Sequence, residues 1–381
     1  MIEKTFEKEL TEIRHYLHQH PELSEQEVET TKFLLEKLKS WGVEILDSNL
    51  KTGIVAKIGQ GKPVIALRAD IDALPVKEET GLDFASKNIG VMHACGHDLH
   101  MTSLLGAAKI LKERENELRG TIKLIFQPSE EHGTGAKMVL ESGTVDDVQA
   151  FLGYHNIPTL GTSVIGLREK GVMAAVEQFY VRITGVGSHA AYPHEGIDSI
   201  LALSGIVQNL QSIVSRNVPP LEAAVVSVTH IEAGNTWNVL PNSAIFEGTI
   251  RTFDDEVRKM TKERFIEIVE ASAKVYGVKI EIEWIMGSDL TYNDPELTEV
   301  LSAMVQKNFD KVTLPEPSSA GEDFASYRKQ APSVFAFIGS NDAGTAGLHA
   351  PDMIIQDEAL PVAIDYYVKS SFEMLKYLSE K

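Results

Sequence analysis

The sequence predicts an α/β protein whose larger domain, a mixed central sheet flanked by helices, is interrupted by a smaller α+β domain of ferredoxin-like order. Three observations carry this expectation. Short runs of β-branched residues alternate with amphipathic helical stretches in the first half, the pattern of layered α/β folds. Near residue 175 the order changes to strand, helix, strand, strand, helix, strand, the split unit of ferredoxin-like domains. The 381 residues also exceed the ~250 to 300 at which a single hydrophobic core stops growing, so two domains are expected. The larger domain is assigned to residues 1–175 and 286–381, and the insertion to 176–285.

Phe6, Leu10, Ile13 and Leu17 recur at three- and four-residue spacing and predict a first helix ending before Pro21. "TGIVAKIG" and "PVIALRAD", bounded by Gly and Pro, predict strands. "HMTSLLGAAKILKEREN" has helical periodicity, and "TIKLIFQP" follows it as a strand. Within the insertion, "EQFYVRITG", "EAAVVSVTHIEAG", "NSAIFEGTIRTF" and "VKIEIEW" predict strands. One continuous helix is expected over "IDSILALSGIVQNLQSIVSR" and another over "DEVRKMTKERFIEIVEASAKVYG". "DPELTEVLSAMVQKNF" and "SVFAFIG" then return as a helix and a strand that complete the first sheet. There is no repeat at solenoid periods and no low-complexity segment.

A formal net charge of −19 with no Lys/Arg run disfavours nucleic acid and anionic membrane surfaces as partners. No stretch approaches the ~20 apolar residues of a membrane span, and the N-terminus lacks the apolar core of a signal peptide. A single cysteine cannot form an intrachain disulfide and fits a reducing compartment, so a cytoplasmic protein is expected.

That cysteine stands in "HACGHDLH", where Gly96 lets a tight turn aim Cys95 and His97 at one point. Thiolate and imidazole together favour a borderline metal such as Zn²⁺; the bland alternative is a buried thiol in the turn before a helix, with His97 and His100 on the surface. "RADIDALP" ends an apolar strand with Asp70 and Asp72, which can ligate a metal or orient a ligating histidine, or simply form a polar strand end. Glu130 and Glu131 follow another strand in "FQPSEEHGTGA". Adjacent carboxylates there permit one metal ligand and one general base, or a solvated acidic turn. His155 in "GYHNIP" and His349 in "GLHAP" are unremarkable singly. All five stretches are expected at strand ends of one domain, which favours one site over five accidents.

Taken together, "LRADIDALP", "MHACGHDLH", "FQPSEE", "SHAAYPH", "NVLPNSA", "GTIRTF", "AGEDFA" and "GLHAP" resemble the metal-dependent aminoacylase/carboxypeptidase amidohydrolases. That family includes hippurate hydrolase, auxin-conjugate hydrolases, N-acetyldiaminopimelate deacetylase and N-acyl amino acid deacetylases. The resemblance runs from about residue 14 to residue 351. It implies a zinc-peptidase-like fold for the larger domain and a lid that also forms a homodimer. Two divalent ions, Zn²⁺ or Mn²⁺, are implied on Cys95, His97, Glu131, His155 and His349, with Cys95 bridging. It implies Glu130 as general base and Asp72 as the carboxylate that orients a ligand or tunes the base. Asp70 stands where the wider superfamily has a metal-binding histidine, so it departs from that pattern. In the insertion, His189 resembles the residue that stabilises the oxyanion in a neighbouring subunit, while Asn238 and Arg251 resemble the groups that bind the substrate carbonyl and carboxylate.

The implied activity is hydrolysis of an N-acyl amino acid, N-acetyl first, to an amino acid and a carboxylate. A carboxypeptidase or dipeptidase is the near alternative, since both substrates present an amide beside a terminal carboxylate. A thiol hydrolase with Cys95 as nucleophile leaves Glu130, Glu131, His155 and His349 unexplained, and a non-catalytic metal-binding module is the remaining rival.

Overall fold

The computed structural model describes residues 4–381 and divides into two compact units. The first runs to Lys170 and resumes over Tyr292–Glu316 and Asp323–Lys381; the second comprises Gly171–Thr291 and Pro317–Glu322.

The first unit is built on an eight-stranded sheet in the order Glu44–Ile45, Ile54–Gly59, Thr121–Gln127, Val64–Asp70, Ala150–Ile157, Ser333–Gly339, Ile165–Gly166, Val312–Thr313. The four central strands, Thr121–Gln127 through Ser333–Gly339, are mutually parallel, while Ile54–Gly59 and Ile165–Gly166 pair antiparallel on either side, so the sheet is mixed. Central parallel strands are covered on both faces, which is why "VIALRAD" and "TIKLIFQ" are buried at every position. Helices Lys4–Gln19, His97–Glu113, Pro295–Asn308 and Ala359–Ser379 contribute Leu10, Leu104, Leu301 and Leu360, each fully buried, to its core. The parallel strands all point their C-terminal ends the same way, toward the edge where Asp70, Glu130 and His155 are found.

The second unit has a four-stranded antiparallel sheet in the order Ala224–Ala233, Ser243–Thr252, Ala175–Thr184, Lys279–Ser288. Along Ser243–Thr252 every second residue is buried, the period of a sheet covered on one face. Helices Ser199–Leu210 and Asp255–Tyr276 supply the cover, with Ile206 and Phe265 meeting Phe179 and Phe246. Asp198 and Asp254 cap these helices, each carboxylate accepting two first-turn amides, and left-handed Gly277 ends the second.

Two expectations are corrected. The single helix expected over 197–216 is broken at Gln211 into Ser199–Leu210 and Ser212–Arg216. Ser212 Oγ donates to Asn209 O (2.6 Å) and Ser215 Oγ to Gln211 O (3.0 Å), the local bonding that makes serine a poor helix-interior residue. The helix expected from His100 begins at His97, so Cys95 and His97 stand at a helix N-terminus and not at a strand end. No described helix is long and apolar enough to cross a membrane.

Candidate metal centre

The turn carrying Cys95 and His97 requires glycine between them. Gly96 has φ 84°, and a Cβ there would lie 2.4 Å from Asn156 Oδ1 and 2.7 Å from Ile355 Cδ1. Its carbonyl accepts the amides of Leu99 (3.0 Å) and His100 (3.4 Å), which starts the helix immediately at His97. The thiol is thereby held, buried, at the positive end of a helix, a setting that favours thiolate character once a cation is present.

Each inner histidine has one nitrogen fixed by a carbonyl. His155 Nδ1 donates to Asn156 O at 2.7 Å, leaving Nε2 3.4 Å from Cys95 Sγ. His97 Nδ1 donates to Asp72 O at 2.9 Å, with Asp72 Oδ1 at 3.3 Å. His97 Nε2 then faces Glu131 Oε1 at 3.8 Å and Asp70 Oδ2 at 3.5 Å. This is the arrangement in which an outer partner sets the tautomer and orientation of a ligating ring. Asp72 also steadies the loop that carries Glu131, its Oδ2 accepting from Ser24 Oγ (2.7 Å) and from the Glu131 amide (3.0 Å). His349 comes from the loop after Ser333–Gly339, its amide held by Ala94 O at 2.8 Å and its Nε2 3.6 Å from Glu131 Oε1.

The result is two overlapping triads. Cys95, His97 and His155 have donor atoms within 4.8 Å of one another, and so do Cys95, Glu131 and His349. His97, Glu130 and Glu131 form a further such group, which puts Glu130 beside the centre. Buried His97 Nε2 and Glu131 Oε1 have no hydrogen-bond partner, which is how side chains arranged to receive a cation are left.

The electrostatics agree with that fit. Burial, reinforced by Glu131, Glu130 and Asp70, pushes the Cys95 thiol well above its ordinary range. Burial raises Glu131 to about 7 although His97 pulls it down. Burial opposes a charge on His97, but Asp70, Asp72 and Glu131 overcome it and raise the ring to about 10. A concentration of buried acids thus draws a proton onto His97 where a divalent cation would satisfy them all.

A fourth cluster, Asp70, His97 and His100, has a different explanation. His100 is fully buried, not on the surface as its bland reading had it. His100 Nδ1 donates to Asp70 Oδ1 at 2.6 Å, while its Nε2 accepts the Asn156 amide at 2.9 Å, so both nitrogens are committed. Asp70 Oδ2 takes Arg68 at 2.8 Å. Arg68 in turn reaches Gln127 (2.9 Å) and Asp323 (2.9 Å), a buried network that the sequence analysis did not identify. The signal available was an arginine inside an otherwise apolar strand, which cannot be buried unpaired.

In the second unit, His189 opposes Val239 in a two-stranded antiparallel ladder, and the Ala190 amide donates to Asn238 O at 3.0 Å, so exposed His189 and half-buried Asn238 lie on adjacent paired segments. His189 Nδ1 accepts the Ala191 amide at 3.0 Å. Arg251 lies on the central strand Ser243–Thr252, donating to Thr249 Oγ1 (3.1 Å) and Ser319 O (3.2 Å). Among the described residues Arg251 has no carboxylate partner.

A cluster of thiol, imidazole and carboxylate donors at the C-terminal edge of a mixed α/β sheet is the layout of a metallohydrolase. The chain belongs to peptidase family M20/M25/M40, which residues 66–371 match, in keeping with the resemblance carried by its motifs. It is 46% identical over 373 residues to an N-acetyl-L-cysteine deacetylase of Bacillus subtilis (strain 168), covering 97% of this chain and 89% of the relative. It is 44% identical over 379 residues to an N-acetylcysteine deacetylase of the same organism, with 99% of both chains covered. A Bacillus subtilis crystal structure described as a dinuclear metal-binding peptidase of the M20 family superposes with a TM-score of 0.88 at 41% identity, covering 98% of this chain and 99% of that one.

Proposed function

We propose that the chain is a metal-dependent amidohydrolase that cleaves N-acyl amino acids, N-acetyl derivatives foremost, to an amino acid and a carboxylate. The observation that carries this is Cys95 shared by two donor triads with Glu130 beside them. Cys95, His97, Glu131, His155 and His349 would hold two divalent ions, Zn²⁺ or Mn²⁺ by their donor types, which supply Lewis acidity to water and to the acyl carbonyl.

Glu130 accepts the proton of the attacking water on its carboxylate and passes it to the nitrogen of the departing amine. Asp72 holds His97 by its Nδ1 and so fixes the direction of Nε2. Asp70 acts as an outer partner, bound to His100 and Arg68. In the second unit, which we assign as a ferredoxin-like lid and homodimer contact, His189 donates to the developing oxyanion of the neighbouring subunit. Asn238 binds the substrate carbonyl, and Arg251, with no carboxylate of its own, binds the substrate carboxylate through its planar fork. A structural ion pair, the other use of a half-buried arginine, has no carboxylate to support it at Arg251 among the described residues. A cytoplasmic setting suits the single buried thiol.

The test is hydrolysis of N-acetyl-L-cysteine, with dipeptides in parallel, by wild type and Glu130→Gln. The variant is expected to keep its metal and lose about 10²- to 10⁴-fold in kcat. Near-wild-type turnover by the metal-loaded variant refutes the assignment of the base. Faster turnover of dipeptides than of N-acyl amino acids transfers the site to a peptidase.

A further inference from the structure

The Glu130–Glu131 pair is preceded by an unusual residue. Ser129 has φ 57°, in the left-handed region that a non-glycine residue seldom occupies. It is fully buried, and its conformation turns the chain sharply after strand Thr121–Gln127. Its carbonyl accepts the amides of Thr134 (3.3 Å) and Gly135 (3.1 Å), which closes the loop behind the two glutamates. The amide of Ser129 points the other way and donates to Glu27 Oε1 at 2.8 Å.

Glu27 has 0% exposure and stands immediately before helix Val28–Ser40, more than a hundred residues from the loop it touches. The short connector that carries it holds the other acidic loop as well. Ser24 Oγ donates to Asp72 Oδ2 (2.7 Å), and the Ala73 amide donates to Glu22 O (2.8 Å). One connector therefore fixes both chain segments that bring carboxylates to the centre. A buried carboxylate is costly unless its bonds are needed, and here Oε1 accepts the amide of the residue that immediately precedes Glu130.

We infer that Glu27 is a positioning residue for the hydrolytic site: its carboxylate holds Ser129 in the left-handed conformation that aims Glu130. This rests on Glu130 being the base. The Glu27 carboxylate bonds the Ser129 amide and none of the proposed ligands, so its effect passes through the backbone of residue 129. Glycine adopts that backbone region freely, so the dependence on Glu27 should lessen when Ser129 is replaced by glycine.

The experiment compares Glu27→Ala, Glu27→Gln and the double variant Glu27→Ala/Ser129→Gly for kcat, KM, metal content and the φ of residue 129 in crystal structures. Misplacing a catalytic group by about 1 Å costs on the order of 10²-fold. Glu27→Ala is expected to lose about 10- to 100-fold in kcat with KM little changed and metal retained, and residue 129 to leave the left-handed region. Glu27→Gln, which keeps an oxygen acceptor, and the double variant should each recover most of that loss. The inference is overturned if Glu27→Ala turns over within about twofold of wild type. It is equally overturned if Ser129 keeps its φ in that variant, or if the double variant recovers nothing. Should Glu27→Ala not fold, Glu27→Gln and the double variant carry the comparison. Glu130→Gln, run alongside, separates the outcomes: if it stays active, the base is wrong, whereas the φ of residue 129 still reports on Glu27.

Discussion

Replacing Gly96 by alanine tests the geometry that brings Cys95 and His97 together. Two costs add. A left-handed backbone with a side chain costs about 1–2 kcal/mol. The new Cβ would also sit 2.4 Å from Asn156 Oδ1, 2.7 Å from Asn156 Nδ2 and 2.7 Å from Ile355 Cδ1, all in a buried surround. Overpacking of that kind costs about 1–3 kcal/mol, so the sum is about 2–5 kcal/mol. Gly81→Ala is the control, because Gly81 has φ 71° and nothing within 4 Å, leaving only the conformational cost. Urea unfolding of the metal-free proteins should place Gly96→Ala below Gly81→Ala by about 1–3 kcal/mol. Because Cys95 and His97 flank the site of strain, metal affinity and turnover should fall as well, on the order of 10²-fold in turnover. Equal stability of the two variants, with wild-type metal content in Gly96→Ala, would refute the claim that this turn is shaped for ligation.

Two further predictions concern buried charge. Burial opposes a charge on His18, but Asp98 and Glu78 outweigh it and raise the ring to about 9. The folded chain therefore binds this proton more tightly than the unfolded one, so its contribution is complete below pH ~6.5 and is lost as pH rises through about 9. It amounts to at most ~3 kcal/mol. Urea midpoints of the metal-free protein should fall across that window, and His18→Gln should flatten the fall; an unchanged slope contradicts the assignment. Arg68, 1% exposed, joins Asp70 and Asp323. Arg68→Met leaves both carboxylates buried without it and should cost about 3–5 kcal/mol in the same assay, whereas a loss under about 1 kcal/mol would show the network to be dispensable.

Much of this organisation was legible in sequence because it rests on local pattern. "SVFAFIG" is strand Ser333–Gly339 and "TIKLIFQ" is strand Thr121–Gln127, both marked by β-branched and aromatic runs between turn residues. Residues that bear chemistry on their face, Cys95, His97, Glu130, Glu131 and His155, were also visible, and the fold brings them within reach of one another. What stayed hidden is what only tertiary contact defines. Nothing local distinguishes Glu27 from the exposed glutamates around it, since its partner Ser129 lies on another element. Arg14, His18 and Asp98 form a buried ion network across 80 and 84 residues of sequence that no periodicity announces. The break at Gln211 depends on serine side chains bonding back to the helix, a competition that apolar spacing does not register.

Elemental analysis of metal per chain, on wild type and Cys95→Ser purified in parallel, decides whether Cys95 joins two metal positions. Close to two divalent ions per wild-type chain are expected, and loss of both in the variant, together with loss of N-acetyl-L-cysteine hydrolysis. A wild type that binds one ion or none after supplementation with Zn²⁺ or Mn²⁺, or a Cys95→Ser protein that keeps two, would contradict a bridging Cys95.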